Sequence, residues 1–376
     1  MAPAAAAAVV PLFDLKRQYA GLREELLAAA ARVLDSGVYV MGPEGAAFEA
    51  EFAEALGVAR VVGISSGSQA LSVALEALGV GPGDEVAVPA FTFVATAVAV
   101  TELGARPVFV DVDPGTLTMA PAELLRRAGP KTKAAVPVHL YGGPADMDGL
   151  LAAAKSRGLR VVEDCAQSHL ALHKGRATGS LGDFGAFSFY PTKNLGALGD
   201  AGALSASDPG LADLAASLRN CGRRPGTMYD HVRVGHNYRL DELQAAFLRV
   251  KLRRLEAWTE GRRRVAARYR RLLAGLPLRL PPEDAGGSRH VFHVFAVLCE
   301  RRDALKAHLD AAGVKTGVYY PEPLHLTGAY RGLGYKAGDF PNAERAAREV
   351  LALPVFPELT DAEVDRVAAA ARSFFA

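Results

Sequence analysis

The chain has 376 residues, half of them hydrophobic and 22% charged, with 43 Lys and Arg against 41 Asp and Glu for a net charge of +2. This globular composition excludes a wholly disordered chain, and the length suggests about two domains. The near-balanced charge calls for neither nucleic acid nor an acidic membrane surface as partner.

Cys165, Cys221 and Cys299 lack metal-ligand spacing, so neither a metal site nor a disulfide framework is expected. Such sparse cysteines fit a reducing, cytoplasmic compartment. The first ten residues, rich in alanine and without a basic start, read as a disordered tail rather than a signal peptide. The longest apolar stretch, 86–100, contains Pro89, Thr92 and Thr96. It suits a buried strand and helix better than a membrane span, which needs about 20 residues.

In chain order, residues 19–34 are apolar at helical spacing and stop at Ser36-Gly37. Short β-rich runs follow at 61–64, 85–88, 107–110, 134–138 and 160–162. They alternate with helical stretches at 68–78, 94–103, 120–127 and 147–156. This is the β-α-β rhythm of a mostly parallel sheet covered on both faces. Apolar runs at 184–189 and 202–205 come next, and 239–273 reads as helix with room for an interruption. Beyond Pro277 the pattern is α+β: strand 293–298, helix 303–312, a short strand at 316–318 and a closing helix 361–375. These patterns predict a large domain over 11–250 and a smaller one over 251–376. The arginine cluster around Arg262, Arg263 and Arg264 has no aromatic interleaving and reads as the solvated face of a helix.

Three segments carry chemistry. Ser188-Phe189-Tyr190-Pro191-Thr192-Lys193 puts a lysine just past an apolar strand, among Phe189, Leu195 and Leu198. Most lysines are surface charges. Partial burial, however, lowers an amine's pKa and makes it nucleophilic toward a carbonyl, so Lys193 can hold pyridoxal phosphate as a Schiff base. That cofactor needs a carboxylate facing its ring nitrogen. Arg160-Val161-Val162-Glu163-Asp164 offers one at a strand's C-terminal edge, where α/β sheets place ligands. Strand alternation admits only one of Asp164 and Glu163. Its phosphate needs N–H groups at a helix start, which Ser65-Ser66-Gly67-Ser68 supplies, although a plain N-cap is the simpler reading of that turn. It does not match the dinucleotide fingerprint.

These segments resemble the DegT/DnrJ/EryC1/StrS family of nucleotide-sugar aminotransferases, which are fold type I pyridoxal-phosphate enzymes. The resemblance runs from Pro11-Leu12-Phe13 to Leu353-Pro354. It includes Gly81-Pro82-Gly83-Asp84, Thr92-Phe93-Val94, Glu163-Asp164-Cys165, Gly235-His236-Asn237-Tyr238-Arg239 and Tyr320-Pro321-Glu322. It implies an α/β fold with a mostly parallel central sheet, flanking helices and a smaller α+β C-terminal domain. It also implies that Lys193 anchors the cofactor and shuttles the proton, Asp164 pairs with the ring nitrogen, Phe93 stacks on the ring and Gln167 sits near its 3-hydroxyl. Gly67, Ser68 and Ser188 would hold the phosphate. Asn237 would reach the partner's phosphate in a homodimer with shared sites. Arg239, Tyr319 and His325 would lie near the substrate, although His325 reads equally well as a buried structural histidine.

Three positions depart from the family pattern: Ser68 for a usual threonine, Cys165 for alanine, and Tyr319 for a frequent histidine. The implied reaction moves an amino group from an amino acid, glutamate by family habit, to a ketosugar, with pyridoxamine phosphate as the alternate cofactor form. The segments at 11–16 and 35–44 look more like the 3-keto than the 4-keto enzymes. A sugar dehydratase of the same fold would carry histidine in place of Lys193, and a non-catalytic regulatory protein would not need Lys193, Asp164 and Gln167 together.

Overall fold

The computed structural model of the chain describes residues 9–224 and 226–376. Residues 1–8 of the expected tail lie outside that range. Val10, at the tail's expected end, is instead buried and exchanges backbone hydrogen bonds with Gly313 and Lys315.

The strands are β1 (Arg60–Ile64), β2 (Glu85–Pro89), β3 (Arg106–Val110), β4 (Thr132–Ala135), β5 (Arg160–Asp164), the short hairpin pair β6 (Leu172–His173) and β7 (Arg176–Ala177), β8 (Phe184–Ser188), β9 (Gly202–Ala206), β10 (Phe295–Leu298) and β11 (Val350–Leu353). Seven form one sheet in the order β1-β9-β8-β5-β4-β2-β3. Only β9 runs against the rest, being antiparallel to both β1 and β8. The strands are buried almost end to end, as in Val86–Val88 of β2, because helices cover both faces. Since β1, β5 and β8 run the same way, their C-terminal ends meet at one edge. The helix Gly67–Ala77, Asp164 and the lysine loop all begin there.

The C-terminal antiparallel pair β10–β11 is sandwiched between two cores. Val294, Ala296, Leu298, Val350 and Ala352 face the large sheet's core. Phe295, Val297, Leu351 and Leu353 face a second core built with Tyr269, Leu305 and the closing helix Asp361–Phe375. Period-two alternation lets one short strand pair serve both.

The interruption allowed for in 239–273 is present, giving two helices, Glu242–Leu252 and Leu255–Leu272, and residues 239–241 precede the first. The first packs its apolar face on the large unit and the second turns toward the C-terminal core. Several expectations need correction. The strand expected at 316–318 is only an isolated bridge from Gly317 to Ala352. Helices Pro43–Leu56, Pro209–Leu218 and Pro341–Glu349 were not foreseen. The arginine cluster is not wholly solvated: Arg262 is buried, and its Nη1 donates to the carbonyls of Phe292, His293 and Val355. No helix among the described residues is long and apolar enough to cross a membrane.

One long-range contact fixes the helix Pro43–Leu56. Its N-cap, Gly42, has no side chain to cap the turn. The buried Glu242 does so from 200 residues away: Oε1 accepts from the Gly42 and Gly45 N–H groups (2.8 and 3.0 Å), and Oε2 accepts from Glu44 (2.7 Å). A carboxylate also suits the positive end of the helix.

Candidate active site

The converging strand ends border a cavity of about 540 Å³. Ser66, Gly67, Ser68, Phe93, Asp164, Gln167, Ser188, Lys193 and Tyr319 all line it. Of the expected site residues, Asn237, Arg239 and His325 do not.

Lys193 sits in a loop that the chain closes tightly. Its N–H bonds to Tyr190 O (2.8 Å), and Phe189 is tied to Ala197 and Ala201. A Cβ on Gly196 would come 2.3 Å from Pro191 O, so only glycine lets the loop close. The buried ammonium of Lys251 holds Gly196 O from outside (2.7 Å). Phe189 and Leu195 wall the loop, but Leu198, expected beside the lysine, is exposed. Burial lowers the Lys193 amine to about 8, against the opposing pull of Asp164.

Asp164 and Glu163 end β5 and point to opposite faces. Asp164 faces the cavity, accepting from the Thr96 hydroxyl (2.9 Å) and the Ala166 N–H (3.1 Å). Burial raises its carboxyl above the ordinary value, against those two bonds and the Lys193 charge. Glu163 is fully buried and takes the N–H groups of Gly179, Leu181 and Gly182 (2.9, 2.7 and 2.8 Å). It also bonds Nε2 of His139 (2.9 Å), whose Nδ1 accepts from the Ala145 N–H (3.0 Å), so Nε2 is the ring's donor. Burial alone would raise Glu163, but these bonds outweigh it and hold the carboxylate low. Glu163 therefore ties the 179–182 turn to β5.

Gln167 has a fixed amide orientation. Its Oε1 accepts from the Tyr141 N–H (2.6 Å), which turns Nε2 toward the Tyr320 hydroxyl (3.1 Å) at the cavity wall. Phe93 is half-exposed, 5.8 Å from the Tyr320 ring.

At the opposite end, Ser66 caps the helix Gly67–Ala77 by accepting from the Gln69 N–H (3.3 Å). The first-turn N–H groups of a helix lack intrahelical partners and attract anions. Gly67 abuts Ser188 so closely that a Cβ there would lie 2.5 Å from the Ser188 Cβ. This brings Ser68 and Ser188 to one helix start. The Ser188 carbonyl is itself held by His169 Nε2 (3.0 Å).

The remaining three residues lie elsewhere. Asn237 is exposed, on a segment bridged to Asn220. Arg239 Nη1 reaches Asn220 Oδ1 (3.4 Å). His325 is buried against Phe340 (ring centroids 4.6 Å apart) and bonded to Glu344 (3.3 Å). Of the two readings open for His325, this is the packing of the buried structural histidine. Sequence reasoning also missed Thr96, Tyr320, Asn194 and His293. Tyr320 stood inside a quoted motif and Thr96 inside the long apolar stretch, whereas His293 gave no signal beyond membership of an expected strand.

A profile of the DegT/DnrJ/EryC1/StrS aminotransferase family matches residues 21–372. The chain is 48% identical to a dTDP-3-amino-3,4,6-trideoxy-alpha-D-glucose transaminase of Streptomyces venezuelae, covering 97% of this chain and 96% of that protein. It is 46% identical to a UDP-N-acetyl-3-dehydro-alpha-D-glucosamine 3-aminotransferase of Acidithiobacillus ferrooxidans, covering 96% and 97%. The crystal structure of S. venezuelae DesV with a ketimine intermediate superposes with a TM-score of 0.95 at 47% identity, covering 98% of this chain and 99% of that one. NtdA of Bacillus subtilis with bound PMP superposes with a TM-score of 0.92 at 32% identity, covering 98% and 86%. The sheet with its single reversed strand is thus the fold type I architecture. This chain belongs to the DegT/DnrJ/EryC1/StrS aminotransferase family.

Proposed function

We propose that the protein transfers an amino group from glutamate to the 3-keto group of a nucleotide-linked deoxysugar, with pyridoxal phosphate as cofactor. The observation that carries this reading is the meeting of a lysine of lowered pKa and a buried carboxyl in one cavity. Support for the 3-keto acceptor comes from the two relatives named for 3-amino sugar products or 3-dehydro substrates.

The residues fit the cofactor. Asp164 is a buried carboxyl that no described arginine pairs with, and a protonated ring nitrogen would meet that need. Gln167 turns an amide N–H to the cavity wall, suited to an anionic ring oxygen. Gly67, Ser68 and Ser188 meet at a helix start, suited to a phosphate. When bound, the cofactor supplies a conjugated electron sink for the carbon that loses its proton. Lys193 anchors it and, when free, carries the proton at Nζ in each half-reaction. A pKa of about 8 lets that amine both accept and return a proton near neutral pH. Phe93 and Tyr319 both line the cavity, where Phe93 would pack on the ring and Tyr319 would face the sugar. Donor and acceptor use the cavity in turn.

Nucleotide-linked 3-amino and 4-amino sugars, each offered with 2-oxoglutarate, test the reading in reverse. Glutamate should form with the 3-amino sugars. Glutamate formed only with 4-amino sugars would replace the acceptor with a 4-keto sugar. No glutamate from any of them would end the aminotransfer reading.

We further infer a homodimer, at work in the cytoplasm, in which Asn237 completes the partner's site. Supporting this, Asn237 is exposed and lies outside its own chain's cavity. Around it Tyr229 and Val234 are 82% and 86% exposed, and Tyr39 and Met41 add further apolar surface. The three unpaired cysteines suit the compartment. Mixing inactive Lys193→Ala and Asn237→Glu proteins under subunit exchange should restore about a quarter of wild-type activity. Half the dimers are then mixed, and each has one intact site. No recovery despite verified exchange would remove the shared-site arrangement.

A further inference from the structure

One group at the cavity has no part in the reading above. His293 lines the cavity, half-buried, just before β10. Its protonation pattern follows from its neighbours. The buried Asn194, next to Lys193, donates from Nδ2 to Val291 O (3.0 Å). A carbonyl only accepts, so the amide orientation is fixed, and Asn194 Oδ1 must be the atom facing His293 Nδ1 (3.2 Å). That oxygen also only accepts. His293 therefore carries its proton on Nδ1, and Nε2 of the neutral ring bears a lone pair. No described residue bonds to Nε2, and it is not sealed from the cavity.

The surroundings keep the ring neutral. Burial, with the charges of Lys193 and Arg262, pushes the imidazole well below its ordinary value. Nε2 is thus a fixed hydrogen-bond acceptor, one residue away from Lys193 through Asn194. The chemistry of the reactants narrows what it can accept from. Carboxylates and phosphates are acceptors and offer nothing to a lone pair. The donor's ammonium is a cation, disfavoured beside Lys193 and Arg262. A sugar hydroxyl is a neutral donor and fits.

We propose that His293 is a specificity residue for the acceptor: its Nε2 accepts a hydrogen bond from a hydroxyl on a ring carbon adjacent to the carbon that receives the amine. The adjacency is inferred from placement: Lys193 must stand beside the reacting carbon, Lys193 and His293 line the same cavity, and Asn194, next to Lys193 in the chain, bonds His293. The proposal rests on the aminotransfer reading and adds a contact to it.

The test compares kcat/KM for ketosugars that carry or lack each hydroxyl flanking the keto carbon, in wild type, His293→Asn and His293→Gln. Asparagine can keep the bond to Asn194 but cannot reach the Nε2 position, whereas the glutamine oxygen can. Wild type should prefer the sugar carrying one of these hydroxyls by roughly 10- to 100-fold. In His293→Asn that preference should fall to about threefold or less, with the glutamate half-reaction changed by less than that, and His293→Gln should recover part of it. Nitrogen-15 NMR of the holoenzyme gives a readout independent of turnover. Nε2 should show a pyridine-type shift that moves when the hydroxylated sugar binds and stays when its deoxy counterpart binds. An unchanged preference in His293→Asn, an equal fall in the glutamate half-reaction, or a protonated Nε2 would each overturn the proposal. Failure of the wild type in both half-reactions would instead strike the aminotransfer reading, and this proposal with it.

Discussion

Lys193→Ala should leave a folded protein that binds pyridoxal phosphate without linking to it covalently. The visible absorbance of the lysine-bound cofactor should vanish, and borohydride should no longer fix cofactor to the chain. Turnover should drop by at least about 10³-fold, because one residue supplies both the covalent anchor and the proton carrier. The fold should survive: the loop is closed by backbone bonds from Tyr190, Phe189 and Ala201 and braced by Lys251, none of which uses the Lys193 side chain. Lys251 makes this prediction a discriminating one. Among the described residues it is the other lysine with an amine lowered by burial, also to about 8. It lies outside the cavity lining, bonded to Gly196 O. A borohydride-stable adduct persisting in Lys193→Ala would show that another lysine anchors the cofactor, and the assignment would fail.

How much of this the sequence could tell follows from which forces are local. The sheet was readable because strands buried on both faces must be apolar runs, and the helices between them must be amphipathic. Asp164 and Lys193 were readable because strand exits place ligands in such sheets. The helix Pro43–Leu56 was readable in principle: proline stands at its first position, glycine follows its end, and Phe48, Phe52 and Leu56 recur every four residues. Its cap was not, because Glu242 arrives from 200 residues downstream. Arg262 looks like its solvated neighbours until the fold buries it beneath three carbonyls. His325 and His293 look alike as letters. Only packing makes one a covered partner of Glu344 and leaves the other at the cavity wall. The tautomer of His293 depends on Asn194, 99 residues away in the chain.

The choice between the two acids of β5 makes the last prediction. Asp164→Asn should keep the fold and a full complement of cofactor yet lose about 100-fold or more in kcat. A carboxylate holds a proton on the ring nitrogen facing it, and an amide does not. Without that proton, negative charge at the reacting carbon is less stabilised, and electrostatic losses of this kind amount to several kcal/mol. The substitution is nearly isosteric, and the oxygen of the new amide can still accept from Ala166 or Thr96, so stability should change little. Glu163→Gln should do the reverse. Its carboxylate accepts three backbone N–H groups and the His139 Nε2–H, and an amide nitrogen turned toward any of them is a donor facing a donor. A buried mismatch of that sort costs about 1–3 kcal/mol, which should appear as a lower Tm with kcat nearly intact in the folded protein. The two readouts separate the roles: rate without stability for Asp164, stability without rate for Glu163. Near-normal turnover in Asp164→Asn alongside an inactive but stable Glu163→Gln would exchange the two residues, and the geometry at the end of β5 would need another explanation.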